Sequence, residues 1–193
     1  YILGTRYARW SLPYGATVVR TIVTTSLVDK IAAHFGVKVV PVLTGFKWIG
    51  NVINKLGDNG GNADRFVIGF EESYGYLIGT HCRDKDAVVA SVMIAEMTAY
   101  YKSIGRTLID QLNGIYAMYG KYEHKNISKK YEGAEGNKKM RGLMESLRTQ
   151  PITSIGGGKV VRTVDFLDQT EYDVPRSDVM LYETDNGLTV IVR

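Results

Sequence analysis

Two carboxylates and a hydroxyl stand together in Gly69-Phe70-Glu71-Glu72-Ser73-Tyr74-Gly75-Tyr76. The run follows an apolar segment and turns on glycine, so the acids fall just beyond a strand end. Glu71 and Ser73, at alternate positions, suit a vicinal diol, because carboxylate and hydroxyl oxygens accept the hydrogen bonds that sugar hydroxyls donate. The competing reading is a loop whose Glu71 or Glu72 caps a neighbouring helix. Shortly after comes Arg83-Asp84-Lys85-Asp86, two cations alternating with two carboxylates ahead of a helix. Arg83 or Lys85 could face a phosphate or a transferring proton. The plainer alternative makes Asp84 or Asp86 an N-cap and leaves the cations solvated. Thr44-Gly45-Phe46-Lys47 sits between a strand and a helix, where glycine admits a ligand to the backbone and helix N-terminal amides favour anions. Lys47 would add charge there, although an ordinary strand-to-helix turn has the same look. Arg20 is a charge inside an apolar strand, and such a charge needs a partner.

Other polar clusters carry less. His34, His81 and His124 are dispersed, and with Cys82 they show no zinc spacing. Gly156-Gly157-Gly158 precedes a strand and lacks the Lys-Ser/Thr of a phosphate loop, so it reads as a hairpin turn. Lys129, Lys130, Lys138, Lys139 and Arg141 are interleaved with Glu132, Glu135 and Glu145, which describes a solvated face better than a nucleic-acid surface.

The chain that must position these residues has 193 residues, 45% apolar and 23% charged, with a net charge of +4. That composition excludes disordered, collagenous and disulfide-stapled classes, and the length can bury a real core. Cys82 is the only cysteine, so no intrachain disulfide forms. No run of roughly 18 apolar residues is present, so no membrane helix is expected, and no signal peptide is visible. The default location is the cytoplasm. Neither nucleic acid nor a membrane is expected as a partner.

Periodicity then sets the elements. Thr17–Thr21 is a β-branched strand, followed by N-cap candidates Thr24, Thr25 and Ser26. Leu27, Ile31 and Phe35 mark one face of a helix that Gly36 stops. Val37–Val42 reads as a strand buried on both faces. Trp48 to Leu56 is an amphipathic helix, residues 57–64 a turn-rich loop, and Phe66–Phe70 a third strand. Asp86–Ser103 predicts a long helix with Val88, Val92, Ala95 and Ala99 on one face, and Thr107–Tyr119 another. The order βαβαβ with flanking helices predicts an α/β domain with a parallel sheet over residues 1–120, its ligands at the carboxyl ends of the strands. Beyond Gly120 the pattern becomes α+β over 121–193: an exposed strand at Lys121–Tyr131, a helix at Ala134–Arg148, and strands at Lys159–Asp165, Asp178–Glu183 and Leu188–Arg193. Thr184-Asp185-Asn186-Gly187 is a hairpin turn between the last two. Tyr1 opens inside a helix pattern and Arg193 closes a strand, so the ends predict a fragment, with the smaller domain truncated.

From Arg20 to Ala87 the chain resembles the third domain of the α-D-phosphohexomutases, in particular the bacterial phosphoglucomutase/phosphomannomutase branch. Thr44-Gly45-Phe46-Lys47, Glu71-Glu72-Ser73-Tyr74-Gly75 and Arg83-Asp84-Lys85-Asp86 carry the likeness together, in order and spacing. Asn186–Arg193 resembles the strand that leads into the fourth domain's phosphate loop. In that family a phosphoserine phosphorylates a hexose 1-phosphate, the bisphosphate turns over, and the other phosphate returns to the serine. The resemblance implies that Glu71 and Ser73 hold the sugar's 3- and 4-hydroxyls and that Thr44 and Gly45 line the sugar pocket. It makes Lys85 a general acid/base or charge stabiliser, turns Arg20 toward the catalytic cleft, and makes Arg193 the first residue of a distal phosphate clamp.

The resemblance also implies what lies outside these residues. The family's serine loop and its Asp-x-Asp-x-Asp-Arg metal motif belong to the first two domains, and neither occurs in this sequence. Mg²⁺ and a glucose 1,6-bisphosphate intermediate therefore pertain to a parent enzyme whose N-terminal domains are the fragment's partners, with hexose phosphate as substrate. The alternative is a standalone sugar-phosphate-binding module without catalysis.

Overall fold

Thr17-Val18-Val19, β-branched at every position, begins the strand on which the first unit is built. The computed structural model describes residues Tyr1–Arg193, the side chain of Asn59 excepted, and the chain divides into Tyr1–His124 and Lys125–Arg193. In the first unit the order is α1 (Ile2–Ala8), β1 (Thr17–Thr21), α2 (Leu27–His34), β2 (Lys38–Val42), α3 (Phe46–Gly57), β3 (Phe66–Glu71), β4 (Gly75–Ile78), α4 (Ala87–Ser103) and α5 (Leu108–Tyr119). The sheet runs β2-β1-β3-β4, with β1 parallel to both β2 and β3. Val18 and Val19 are fully buried on opposite faces of β1. Val19 joins Phe46, Ile49 and Ile53 of α3 on one side. Val18 joins Ala32 of α2 and Leu3 of α1 on the other. Adjacent β1 and β2 thus send the chain to opposite faces, which opens a crevice at their carboxyl ends.

Four observations refine these expectations. The βαβαβ strands are parallel as expected, and the sheet gains β4, which returns antiparallel along β3, pairing Glu71 with Gly75 and Phe70 with Tyr76. β2 is an edge strand with only Val42 buried, not a strand buried on both faces. Pro41, which cannot donate to a ladder, fits such an edge. In α4 the Val88-Val92-Ala95-Ala99 face is the exposed one, with Val88 and Val92 74% and 57% exposed. Val89, Met93 and Met97 are half-buried and Tyr101 is buried instead. This helix is apolar nearly all round, so periodicity alone cannot choose its face. Lys121–Tyr131 has no partner strand and forms no regular element.

The second unit holds α6 (Gly133–Thr149) and an antiparallel sheet in the order β5 (Ser154–Ile155), β6 (Gly158–Asp165), β7 (Met180–Thr184), β8 (Thr189–Val192). Gly156-Gly157 turns the first hairpin and residues 184–188 the last, with the Leu188 amide donating to Thr184 Oγ1 at 3.0 Å. Met144 of α6 packs on Met180 and Tyr182.

Arg148, near the end of α6, ties the helix to this sheet. Its Nε donates to Asp165 at 2.8 Å and its Nη2 to Asp178 at 2.6 Å. Burial opposes ionisation of Asp165, but the bonds from Arg148 and the Leu167 amide outweigh it and hold the carboxyl below its ordinary value of 3.8. A depressed carboxylate contributes stability that is whole above its unfolded pKa and is lost as pH falls through its folded one. Arg148→Met should therefore cost the second unit about 1–3 kcal/mol at about pH 7. The gap to the parent chain should narrow at about pH 3. Calorimetry at both pH values checks this; a gap independent of pH would mean that the loss is one of packing only.

Candidate active site

At the carboxyl end of the first sheet lies Glu71, the last residue of β3, only 8% exposed. Its side-chain face is set by an irregularity upstream. Thr17 pairs with Phe66 but Val18 pairs with Ile68, so Val67 is an extra residue in β3. An inserted residue switches the side-chain alternation downstream. Gly69 consequently turns toward Ile49 of α3, and Glu71 follows on that face.

A carboxylate buried this deeply needs a cation, and Lys85 Nζ stands 3.7 Å from Glu71 Oε1. The segment carrying Lys85 folds back on the hairpin. The Asp86 amide donates to the Tyr76 carbonyl at 2.8 Å, and Asp86 caps α4 through the amides of Val88 and Val89. Lys85 then crosses directly over Gly75. A β-carbon on Gly75 would stand 2.7 Å from Lys85 Cδ and 3.0 Å from Glu71 Cγ. Lys85 Nζ also lies 5.2 Å from the centre of the Phe46 ring, which opens α3. The hydrogen bond from Lys85 to Asp84 raises the lysine's pKa; burial works against it and the nearby carboxylates of Asp84 and Glu71 add to it. Lys85 is thus an ammonium at neutral pH.

The other predicted residues distribute as follows. Thr44 and Gly45 leave β2 at the same sheet end as Glu71, and Gly45 is the N-cap of α3 at φ 107°, a conformation that requires glycine. Lys47 is exposed, its ammonium 4.9 Å above the Trp48 ring. Ser73 is exposed at the hairpin tip, beside Tyr74 at φ 64°. Thr44, Gly45, Glu71, Ser73 and Lys85 therefore share one rim. Arg20 is spent inside the unit: it forks Asp29 at 2.7 and 2.6 Å and donates to the carbonyls of Thr21 and Thr24. Arg83 donates to Asn54 Oδ1 at 2.6 Å and to the Thr80 and Cys82 carbonyls, which docks its loop on α3. Arg193 follows β8 in the second unit.

Glu72 accepts from Thr21 Oγ1 at 2.8 Å, a contact that sequence spacing could not reveal. Also unforeseen, His81, Cys82 and Asp86 bring ligand atoms within 4.8 Å of one another. Each has protein partners: His81 bonds Asp86 at 2.8 Å, and Cys82 donates to the Asp84 carbonyl. A separate cleft of about 1030 Å³ among α1, α2, α4 and α5 is apolar and contains none of the predicted residues.

Residues 1–119 match the family described as phosphoglucomutase/phosphomannomutase, alpha/beta/alpha domain III. The chain is 34% identical over 184 residues to a phosphoglucomutase of Staphylococcus aureus (strain MRSA252), covering 90% of this chain and 33% of that protein. It is 36% identical over 156 residues to a phosphoglucomutase of Staphylococcus haemolyticus, covering 81% and 28%. It thus spans about a third of the length of these relatives. The crystal structure of a Thermus thermophilus protein assigned as a phosphomannomutase shares the fold, with a TM-score of 0.54, 19% identity, and coverage of 98% of this chain and 35% of that one.

The close approach at Gly75 generates a test. Gly75→Ala should displace Lys85 and destabilise the first unit by about 1–2 kcal/mol. In a Lys85→Ala background, where the lysine stem is gone and only the contact with Glu71 Cγ remains, the same change should cost clearly less, by about 0.5–1 kcal/mol. Thermal melting of the four chains measures the coupling; equal costs in both backgrounds would refute the packing assignment.

Proposed function

Because the chain belongs to the phosphoglucomutase/phosphomannomutase family, we propose that it is the sugar-recognition part of an enzyme interconverting hexose 1-phosphate and hexose 6-phosphate. The observation that carries this reading is the pairing of buried Glu71 with Lys85 on the rim where Thr44, Gly45 and Ser73 also emerge. Glu71 and Ser73 accept hydrogen bonds from two neighbouring sugar hydroxyls. Thr44 and Gly45 form the opposite wall, and the open amides of α3 with Lys47 favour a phosphate. Lys85, an ammonium at neutral pH, donates a proton or stabilises charge on a phosphoryl oxygen; it does not act as a base while protonated. Arg20, which the resemblance turns toward the catalytic cleft, and Arg83, a candidate phosphate contact, also fix the loops on either side.

The parent is an intramolecular phosphotransferase that works through a phosphoserine and a bisphosphate intermediate such as glucose 1,6-bisphosphate. Mg²⁺, held by residues outside this chain, supplies charge neutralisation at the transferring phosphoryl group. The matched stretch of 184 residues continues well past the 119 of the family's third domain, which supports assigning residues 121–193 to the same parent's fourth domain. Arg193 then leads into its phosphate clamp. The parent's N-terminal domains are this chain's partners, and the cytoplasm is its place of action. No helix among the described residues is long and apolar enough to cross a membrane.

Two outcomes follow. The 193-residue chain alone should not interconvert the two phosphates, because it lacks the phosphoryl donor and the metal motif; Mg²⁺-dependent turnover by the purified chain would contradict this. In the whole enzyme, Glu71→Gln should lower kcat/KM by about one to two decades, since a charge-assisted bond contributes roughly 1.5–3 kcal/mol and each 1.36 kcal/mol is tenfold. Glu72→Gln should cost far less. Steady-state kinetics with glucose 1-phosphate, paired with melting curves, decides: small equal effects on turnover with a lowered melting point would remove the sugar role from this loop.

A further inference from the structure

We infer that Glu72 is the positioning residue of the β3–β4 turn, acting through a hydroxyl relay that fastens this turn to the exit of β1. Glu72 Oε2 accepts from Thr21 Oγ1 at 2.8 Å, across 51 residues of sequence. Thr21 is fully buried, and its hydroxyl also lies 2.8 Å from Thr24 Oγ1. The direction of the second bond follows from proton counting. An ionised carboxylate only accepts, and a hydroxyl has a single hydrogen. Thr21 gives that hydrogen to Glu72, so Thr24 must donate to Thr21.

The far end of the relay is anchored as well. Arg20 donates to the Thr24 carbonyl at 3.3 Å and to the Thr21 carbonyl at 3.1 Å while it forks Asp29 of α2. One continuous set of bonds therefore runs from the first turn of α2, through the β1 exit, to the β3–β4 turn. The turn needs such a hold. β4 is the outer strand of the sheet, so the hairpin is paired only to β3. Its three loop residues include Tyr74 in the left-handed region at φ 64°, a strained setting for a bulky side chain. Glu72 is the loop residue that reaches back to the sheet, and it lies between Glu71 and Ser73.

The tether is a geometric claim in its own right; its consequence for hexose phosphate rests on the sugar-binding reading above. Two measurements keep them apart. In this chain, Thr21→Val and Glu72→Ala should each speed amide exchange in residues 72–76 by on the order of tenfold. Glu72→Gln, whose amide oxygen still accepts from Thr21, should restore protection. In the whole enzyme, Thr21→Val and Glu72→Ala should each lower kcat/KM by about ten- to a hundredfold. The double variant should be no worse than either single one, and Glu72→Gln should recover most of the loss.

Unchanged exchange in Glu72→Ala overturns the tether, and that variant, on a half-buried turn, serves if Thr21→Val fails to fold. Faster exchange with wild-type kinetics overturns the positioning role. If Glu71→Gln is itself kinetically silent, the sugar reading has failed, and exchange together with the Glu72→Gln rescue judges the tether alone.

Discussion

A carboxylate buried at the end of a strand can persist only if a cation meets it, and bringing Lys85 to Glu71 dictates the architecture around both. The lysine's stem must cross the hairpin, so a side chain at position 75 would collide with it. Its segment must fold back onto β4, so Asp86 both joins the Tyr76 carbonyl and caps α4. The ammonium then lies near the Phe46 ring, which ties the α3 entrance to the same point. The Coulomb attraction at 3.7 Å between a buried carboxylate and a half-exposed ammonium is moderated by solvent on the lysine side. Its importance is geometric, in making three distant stretches of chain share one rim.

The sheet supplies the rest of the arrangement. Because β1 and β2 feed helices on opposite faces, their exit loops diverge, and room for a ligand opens at their carboxyl ends. The extra residue in β3 matters as much. Counted from Phe66, an unbroken alternation through Val67 would turn Glu71 toward the face of α2, away from Lys85 and Phe46; taking Val67 up as a bulge keeps Glu71 on the face of α3.

The parallel core and its helices are legible in the sequence because β-branched runs and apolar spacing of 3.6 report directly on burial. The clustering of Thr44, Glu71 and Lys85 is legible only as motifs in sequence; topology brings them together. β4 escapes notice because Gly75-Tyr76-Leu77-Ile78 is short and begins on a residue with poor strand propensity. The inner face of α4 is hidden because nearly every face of that helix is apolar, and the edge position of β2 because Val-Val-Pro-Val reads like a core strand. The partners of Arg20 and Glu72 were beyond reach for a different reason. A charge announces that it needs a partner, but only the fold says which of several candidates arrives.

The adjacent glutamates show how one strand end can serve two ends at once. Successive side chains at the close of a strand point in different directions, so Glu71 and Glu72 cannot share a task. Glu71 lies on the α3 face and meets an ammonium, and the lone pairs on its two oxygens leave it able to accept from further donors. Glu72 turns toward the sheet and accepts from a buried hydroxyl, where its oxygen has a fixed donor from within the fold. A carboxylate with a mobile cationic neighbour suits exchange of partners, and one with a fixed hydroxyl donor suits anchorage. The pair thus combines an adaptable acceptor with a rigid hold one residue away, a combination that a single acidic residue on a free loop could not provide.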